Sequence, residues 1–470
     1  MFGESFFEYF IFFYSTLLIA SYLMLAIFSM ITIIRYKNYN SNLDDETLYN
    51  SDIAPGISVV APAFNEEKTI ITNVHSLLTL EYPLFEVVIV NDGSKDKTLE
   101  KLITEFELVE VPYAYIEKVK TKPVKKIYKS TNALFDKLTV VDKENGGTKA
   151  DASNAGINAS VFPYFLCTDV DCILARNTLL KMIKPILVNK RKVIAVGATL
   201  RMVNSCEVSA GAITRVKPPK ALIPRFQELE YIRAYLLSKM GWSFLNCVPN
   251  VSGGLGLFDK EVAIRSGGYD GKSHAEDMDL VTRMASYMIN NKQKYKIDYI
   301  PLSCCWTEGP PNVKILGRQR TRWAAGLVQL FVVHRKILFN PKFKRMGLIV
   351  FPYAFFFEFL APMIELGGVI SIIYLVTLGK INWELALLVF LYSYSFAVMI
   401  SILVIIWDNV TFKYYNTFGE VLKLVIVAFL EPFLYHPLIT FFGLRGYFKF
   451  LSSKELSWGT MTRRGVETSS

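Results

Sequence analysis

The chain has 470 residues, of which 52% are hydrophobic, 14% aromatic and 20% charged. So apolar a composition is typical of a membrane protein. The length leaves room for one soluble domain of roughly 250 to 300 residues and several spans of about 20 residues each. A wholly soluble enzyme and an all-membrane transporter therefore both fit badly.

Charge and cysteine content narrow the class only a little. The formal net charge of +10 suits nucleic acid, an anionic lipid surface or anionic substrates, and charge alone does not separate them. The 6 cysteines form no Cys-x-x-Cys pair and the 4 histidines are scattered, so neither a zinc site nor a disulfide scaffold is indicated. The cysteine usage favours a reducing cytosol.

The N-terminal segment predicts a membrane anchor over residues 1–36. Residues 9–34 carry no charged side chain, and as a helix they would extend about 39 Å, which is enough to cross a bilayer. Arg35 and Lys37 follow at once, so the positive-inside rule puts the next domain in the cytoplasm. No basic residue precedes the apolar run and no small-residue cleavage site is present, which favours a retained anchor over a signal peptide.

Residues 55–312 predict a soluble α/β domain. Short apolar strands alternate with segments of helical spacing, and Ser94 is a candidate N-cap for a helix from Lys95. The predicted strands are residues 57–61, 87–90, 138–141 and 164–167, and the predicted helices include 66–80 and 150–159. Such alternation favours a mostly parallel sheet whose ligands bind at the carboxyl ends of the strands.

The rest of the chain predicts an amphipathic interfacial stretch at 313–345, a membrane region at 346–444 and a basic cytosolic tail at 445–470. Residues 385–407 form an uninterrupted apolar span, whereas Lys423, Glu431, Pro432 and Pro437 interrupt 421–444. We therefore expect two full crossings and a third segment that is broken or interfacial. Glu358 and Glu365, seven positions apart, would share a helix face and either line a channel or form internal hydrogen bonds.

Acidic residues follow two of the predicted strands. Asp92 in Asn-Asp-Gly-Ser suits a base or ribose contact, although the same residues are ordinary turn formers. Asp169 and Asp171, two positions apart on a loop, suit a hard divalent ion that bridges a diphosphate, and an exposed acidic turn is the alternative.

Two further clusters lie nearer the C-terminus. The acidic segment 274–279 contains Glu276, Asp277 and Asp279 at an apparent helix start, and three carboxylates exceed what helix capping requires. That crowding suits a general base. Residues 318–323 (Arg-Gln-Arg-Thr-Arg-Trp) carry three arginines and a tryptophan, for which snorkelling at a membrane interface is the competing interpretation.

In combination, these motifs lie in one βα domain that precedes membrane spans. They are Pro62-Ala63-Phe64-Asn65-Glu66, Asn91-Asp92-Gly93-Ser94, Lys149-Ala150-Asp151-Ala152-Ser153-Asn154, Asp169 with Asp171, Ser252-Gly253-Gly254, Glu276-Asp277 and Gln319-x-x-Arg322-Trp323. The combination resembles the family 2 glycosyltransferases, in particular the membrane-embedded processive synthases of cellulose, hyaluronan and poly-N-acetylglucosamine. The resemblance implies a cytosolic domain of the GT-A (nucleotide-sugar transferase) fold, flanked by transmembrane and interfacial helices.

The resemblance also implies roles for individual residues. Asp277 would be the catalytic base, and Asp171 with Asp169 would bind Mg²⁺ or Mn²⁺. The implied nucleotide-binding residues are Phe64, Glu66, Asp92, Lys149, Asp169, Gln319, Arg320 and Arg322. The implied acceptor-binding residues are Ser252, Gly253, Gly254, Glu276 and Trp323. Ala275 stands where the family motif has Thr, which removes a hydroxyl but leaves the base in place.

The function implied is an inverting, metal-dependent transfer from a UDP-sugar to a growing exopolysaccharide, coupled to export across the inner (cytoplasmic) membrane. UDP-GlcNAc is the favoured donor and UDP-Glc the alternative donor. Cellulose is disfavoured as the product because no Phe-x-Val-Thr-x-Lys loop of the cellulose synthase kind occurs. The implied partners are the polymer and the lipid bilayer, with an accessory membrane subunit left open and nucleic acid not expected. The alternatives are a non-processive transferase with a lipid acceptor and a non-enzymatic envelope protein that retains the fold.

Overall fold

The computed structural model describes residues 6–112, 114–209 and 211–452. The described residues divide into two compact units. The first, which we call the α/β unit, contains residues 32–217 and 248–309 apart from positions 113 and 210. The second, which we call the membrane-helix unit, contains residues 6–31, 218–247 and 310–452.

The strands all belong to the α/β unit. They are β1 (Ile57–Ala63), β2 (Phe85–Asp92), β3 (Leu108–Glu110), β4 (Val124–Ser130), β5 (Leu138–Lys143), β6 (Tyr164–Thr168), β7 (Ile173–Leu174), β8 (Lys192–Met202), β9 (Glu207–Ser209), β10 (Ala212–Arg215), β11 (Leu255–Asp259) and β12 (Tyr295–Thr307). A 10-stranded sheet has the order β3-β4-β5-β2-β1-β6-β11-β8-β12-β7, and β9 pairs with β10 separately.

Helices connect these strands and form the membrane-helix unit. They are α1 (Phe6–Asn42), α2 (Asp45–Tyr49), α3 (Ile70–Leu78), α4 (Thr98–Glu105), α5 (Lys149–Ala159), α6 (Thr178–Val188), α7 (Leu222–Ile232), α8 (Met240–Leu245), α9 (Lys260–Arg265), α10 (Glu276–Asn290), α11 (Val313–Val333), α12 (Phe351–Ala354), α13 (Ala361–Thr377), α14 (Trp383–Phe412), α15 (Phe418–Leu434) and α16 (His436–Leu451). π-helical turns occupy Arg233–Lys239, Met346–Val350 and Phe355–Phe359.

The centre of the large sheet is parallel, as the alternation of strands and helices predicted. Strand β1 pairs in parallel with β2 and with β6, and β2 pairs in parallel with β5. Every residue of β2 is buried, and β1 is buried except at Pro62. Near-continuous apolar strands of this kind are typical of a parallel sheet that helices cover on both faces.

Strand β11 departs from the parallel pattern and brings a second loop to the same place. It runs antiparallel to β6, with Leu255 opposite Thr168. Because the start of β11 therefore lies beside the end of β6, residues 252–254 enter the sheet next to Asp169. Two motifs that are far apart in the sequence become neighbours in this way.

The predicted N-cap role of Ser94 is wrong. Helix α4 begins at Thr98, with Lys97 in the N-cap position. The Ser94 hydroxyl accepts a hydrogen bond from the backbone N–H of Asn65, at 3.0 Å, and the Lys95 N–H donates to the Asn65 side-chain oxygen at 2.8 Å. Asn65 has a φ of 56°, a left-handed conformation that asparagine tolerates. These bonds join the loop after β1 to the loop after β2.

Among the described residues, three helices are long and apolar enough to cross a membrane. They cover Tyr9–Asn38, Met346–Thr377 and Trp383–Phe412. Helices α15 and α16 are bent by 49° at a short break and could count as a fourth span. The break that the sequence predicted within 421–444 is confirmed, and it follows Pro432. Of the predicted tail, the part up to Leu451 continues α16, and residues 453–470 lie outside the described residues.

Glu358 and Glu365 do not lie on one continuous α-helix, contrary to the sequence-based expectation. Glu358 lies in the π-helical turn Phe355–Phe359, and Leu360 separates that turn from α13. One Glu365 oxygen is 3.0 Å from Nε2 of His436, and the other accepts a hydrogen bond from Thr440 at 2.5 Å. Glu365 therefore takes part in internal hydrogen bonds.

Residues 218–247 were predicted to lie within the soluble domain, but the structure assigns them to the membrane-helix unit. Their charged groups have partners there. Arg233 donates to both carboxylate oxygens of Glu431, at 2.8 and 2.6 Å, and to the Ser401 hydroxyl at 2.8 Å. A charged side chain in an apolar environment requires such partners, and Arg233 finds them on the apolar helices α14 and α15.

Candidate active site

The candidate site lies where the parallel strands of the α/β unit end. Strands β1, β2, β5 and β6 end at Ala63, Asp92, Lys143 and Thr168. Because these strands are parallel, their carboxyl ends meet at one edge of the sheet, where ligands bind in open α/β folds. Several residues of the sequence prediction, among them Phe64, Asp92 and Asp169, lie at or directly after these ends.

The loop after β1 carries two predicted nucleotide-binding residues. Phe64 is 42% exposed, which leaves this residue accessible to a ligand at this edge. The backbone N–H of Glu66 donates to the Thr98 hydroxyl at 2.9 Å, and the Glu66 carboxylate accepts from Thr69 at 3.2 Å. The loop is thus attached to the helices on either side.

Asp92 lies in the interior and pairs with a lysine that the motifs did not include. One Asp92 oxygen accepts from Nζ of Lys143 at 2.7 Å and from the Gly146 N–H at 2.9 Å. Lys143 is fully buried and is also 2.8 Å from Asp151. Burial of a lysine with two carboxylates satisfies a charge that would otherwise be costly to remove from water. The trio connects the end of β2, the end of β5 and helix α5.

Replacing Lys143 by Met should destabilise the α/β unit strongly. The change leaves Asp92 and Asp151 without their buried cation, and breaking a buried ion pair from one side costs about 3 kcal/mol or more. The matched control is Lys126→Met, because Lys126 pairs with Glu110 on the exposed surface. Thermal unfolding should show a clear fall of the midpoint for Lys143→Met and little change for Lys126→Met. Equal midpoints would contradict this role.

Lys149 lies at the start of α5 and joins two of the predicted motifs. Its Nζ is 2.5 Å from Asp169 and donates to the Gly253 carbonyl oxygen at 2.6 Å. Burial opposes the charged form, but the Asp169 carboxylate outweighs this and raises the pKa of Lys149 above its ordinary value. The site therefore contains a permanent positive charge beside a carboxylate.

Asp277 is in the first turn of α10 and faces the same loop. The backbone N–H of Gly253 donates to Oδ2 of Asp277 at 3.2 Å, and the Met278 N–H donates to Oδ1 at 2.8 Å. A Cβ added at Gly253 would be 3.7 Å from Nζ of Lys149 and about 4.0 Å from Glu276 Oε1. Gly253 thus lies between Lys149 and the acidic helix start. Ser252 and Gly254 flank it, and the Gly254 carbonyl accepts from Thr168 at 2.9 Å.

The loop after β6 has a donor set that fits a divalent cation. Among the described residues, Asp169, Asp171 and Cys172 offer ligand atoms that all lie within 4.8 Å of one another. Both aspartates are partly exposed, whereas Cys172 is buried. Two carboxylates that a ligand can reach are what Mg²⁺ or Mn²⁺ requires when phosphate oxygens and water complete the coordination.

The Gln-x-x-Arg-Trp residues lie on α11 in the membrane-helix unit. Gln319 Oε1 accepts from the side-chain amide of Gln227 at 3.2 Å. Arg320 was expected to contact the nucleotide, but it is buried and bonded to Glu230 and Tyr435. Arg322 and Trp323 are both half-buried on the same helix.

Sequence reasoning missed Lys143 and the partner of Asn154. Asn154, on α5, bonds the backbone of Tyr269 twice, through Nδ2 to the carbonyl and through Oδ1 from the N–H, at 2.8 Å each. This pair attaches the Lys-Ala-Asp-Ala-Ser-Asn helix to the Gly-Gly-Tyr turn before α10. The sequence does offer one signal for Lys143. It is a lysine at the end of an apolar strand, three residues before Gly146.

The sheet order and the residues at its edge define a GT-A type nucleotide-sugar transferase fold. The model of the family described as "Glycosyltransferase like family 2" matches residues 55–326. That match covers more than half of the chain, so this protein belongs to that family. The family predicted from the motifs is thereby confirmed.

Two of the curated relatives are poly-beta-1,6-N-acetyl-D-glucosamine synthases. The one from Staphylococcus epidermidis is 27% identical over 274 residues, which is 58% of this chain and 54% of the relative. The one from Staphylococcus aureus strain COL is 25% identical over 280 residues, or 59% of this chain and 56% of the relative. The alignments thus span about half the length of these relatives.

Solved structures with a similar fold include a mannosyltransferase, PcManGT from Pyrobaculum calidifontis, in complex with GDP-Man and Mn²⁺. It is 18% identical, with 92% of this chain and 100% of that chain covered and a TM-score of 0.48. Residues 1-349 of Staphylococcus aureus TarS, in complex with UDP-GlcNAc, are 13% identical, with 80% and 91% covered and a TM-score of 0.39.

Proposed function

We propose that this protein transfers a sugar, with UDP-GlcNAc as the favoured donor and UDP-Glc as the other, to the growing end of an exopolysaccharide. The observation that carries the proposal is the contact chain from Asp169 through Lys149 and Gly253 to Asp277. It joins a carboxylate of the proposed metal and diphosphate site to the candidate base within hydrogen-bond distances. The names of the relatives support a GlcNAc polymer as the product.

In this proposal Asp277 accepts the proton of an acceptor hydroxyl while that oxygen attacks the anomeric carbon. A single displacement inverts the anomeric centre. Gly253 orients the Asp277 carboxylate through its N–H, and Lys149 orients Asp169. Gln319 and Arg322 bind the departing diphosphate, and Trp323 forms the platform under the acceptor sugar.

Asp169 and Asp171 would hold Mg²⁺ or Mn²⁺ in this site. When bound there, such an ion would supply positive charge to offset the negative charge of the diphosphate. Phe64, Glu66 and Asp92 form the nucleotide pocket. The buried ion pair with Lys143 holds Asp92 in place there. Ser252, Gly253, Gly254 and Glu276 line the acceptor side.

We further propose that the protein is a multi-pass protein of the inner membrane with its α/β unit on the cytosolic side. Arg35 and Lys37 follow the apolar part of α1 and favour that orientation. The three long apolar helices supply the membrane region through which the polymer is exported.

Purified protein supplied in turn with labelled UDP-GlcNAc, UDP-Glc and UDP-GlcA, with Mg²⁺ or Mn²⁺, should make a ladder of long products from UDP-GlcNAc. Asp277→Asn protein serves as the blank, because asparagine has the size of aspartate but cannot act as the proposed base. Transfer of a single sugar to lipid would instead support the non-processive lipid transferase. No product from any donor would contradict an enzymatic role.

A further inference from the structure

Arg320 is fixed by a bidentate ion pair inside the membrane-helix unit. Its two terminal nitrogens donate to the two carboxylate oxygens of Glu230, at 2.6 Å each. One of them also donates to the Tyr435 hydroxyl at 2.9 Å, and that hydroxyl donates to Glu230 at 2.8 Å. Bidentate arginine–carboxylate pairs are geometrically specific, so the guanidinium plane has one orientation here.

The fixed guanidinium lies against the Trp323 ring. The Arg320 Cζ is 4.5 Å from the centre of that ring, which is within the range of a cation–π contact. On another side, Cζ is 5.9 Å from the ring centre of Tyr435, which stacks on Phe226 at 5.1 Å. The Trp323 ring is thus in contact with a group that α7 and the α15–α16 break hold in place.

Glu230 and Arg320 stabilise each other in their charged forms. Burial alone would raise the pKa of Glu230, but the Arg320 guanidinium lowers it below its ordinary value. The Arg320 side chain is 8% exposed and that of Glu230 is 25% exposed. Because water reaches Arg320 so little, the Glu230 carboxylate compensates the burial of its charge.

We propose that Arg320 is a positioning residue for Trp323, oriented by Glu230 and Tyr435, rather than a ligand of the donor diphosphate. This inference rests on the proposed function, in which Trp323 lies under the acceptor sugar. It assigns Arg320 to the acceptor side of the site. Arg322, two positions further along the same helix, remains the proposed ligand of the donor diphosphate. It also connects the acceptor platform to the break between α15 and α16, because Tyr435 lies at that break.

The kinetic test compares Arg320→Lys, Glu230→Gln and Tyr435→Phe with the control Arg318→Lys, an exposed arginine on the same helix. Lysine keeps the charge of Arg320 but cannot form the bidentate pair. We expect UDP binding by calorimetry and the KM for the UDP-sugar to stay within about twofold in all four. The KM for an added oligosaccharide primer should rise about tenfold in Arg320→Lys and Glu230→Gln, with shorter products, and less in Tyr435→Phe.

A second measurement does not depend on activity. The 6 tryptophans can be labelled with 5-fluorotryptophan and observed by fluorine NMR. The signal that disappears in Trp323→Phe is then assigned to Trp323. It should shift in Glu230→Gln and Tyr435→Phe and stay in place in Arg318→Lys. Tyr435→Phe removes only a hydroxyl, so this variant should keep the packing of the break.

Two results would overturn the inference. One is a rise of the donor KM and of the UDP dissociation constant in Arg320→Lys with the primer KM unchanged, since that pattern belongs to a diphosphate ligand. The other is a Trp323 signal that does not move in any of the cluster variants. If the protein transfers no sugar but the Trp323 signal shifts in the cluster variants, the proposed function is refuted. The contact between Arg320 and Trp323 is supported in that case.

Discussion

Replacing Asp277 by Asn should lower the rate of sugar transfer by about a thousandfold or more while leaving UDP binding largely intact. Asparagine has the size of aspartate, and its side-chain oxygen can still accept the hydrogen bond from the Gly253 N–H. It cannot accept a proton from the acceptor hydroxyl. The loss would therefore appear in kcat, measured from labelled product, and not in UDP affinity, measured by calorimetry.

A matched control for this substitution is Asp270→Asn. Asp270 is exposed and lies seven positions before Asp277, in the turn that precedes α10. Its change removes the same charge from the same region without touching Gly253. Near-normal turnover of Asp277→Asn, or an equal loss in both variants, would remove Asp277 from the role of base.

Replacing Asp171 by Ala should abolish metal-dependent activity, by about a hundredfold or more, and so imitate removal of metal with EDTA. Wild-type activity should return when Mg²⁺ or Mn²⁺ is added back, whereas the variant should stay inactive. Asp171 is partly exposed beside Asp169, whose carboxylate also pairs with Lys149. Loss of Asp171 therefore leaves only a carboxylate that is already engaged.

Mn²⁺ binding gives a readout for this prediction that is independent of turnover. Titration followed by electron paramagnetic resonance, in the presence of UDP, should show bound Mn²⁺ in the wild type and much weaker binding in Asp171→Ala. Asp136→Ala, at an exposed position after β4, is the control and should bind as the wild type does. Turnover that persists in EDTA would exclude metal dependence.

Much of the α/β unit could be predicted because its signals are local. The runs 57–61 and 87–90 are rich in β-branched residues, and they lie within β1 and β2. The helix predicted at 150–159 begins one residue earlier, at Lys149, after Thr148 as N-cap. Errors occurred at element ends, where competing hydrogen bonds decide, as Ser94 shows by bonding Asn65 instead of capping α4.

The charged partners could not be predicted in the same way. Lys143 contacts Asp92, which is 51 positions away, and Arg320 contacts Glu230, which is 90 positions away. No period or spacing in a single sequence relates residues at such separations. The packing of residues 218–247 in the membrane-helix unit also involves a distant partner, since Arg233 pairs with Glu431, which is 198 positions away.

The sequence by itself determined the family, the parallel α/β architecture, the apolar helices and the order of the motifs, because these depend on side-chain pattern along the chain. Only the tertiary structure decided which motif residues face one another. It joined Lys149 to Asp169 and Gly253 to Asp277, and it paired Arg320 with the carboxylate of Glu230. The physical reason is that a buried charge takes the nearest counter-charge that folding provides, and folding provides it from distant segments.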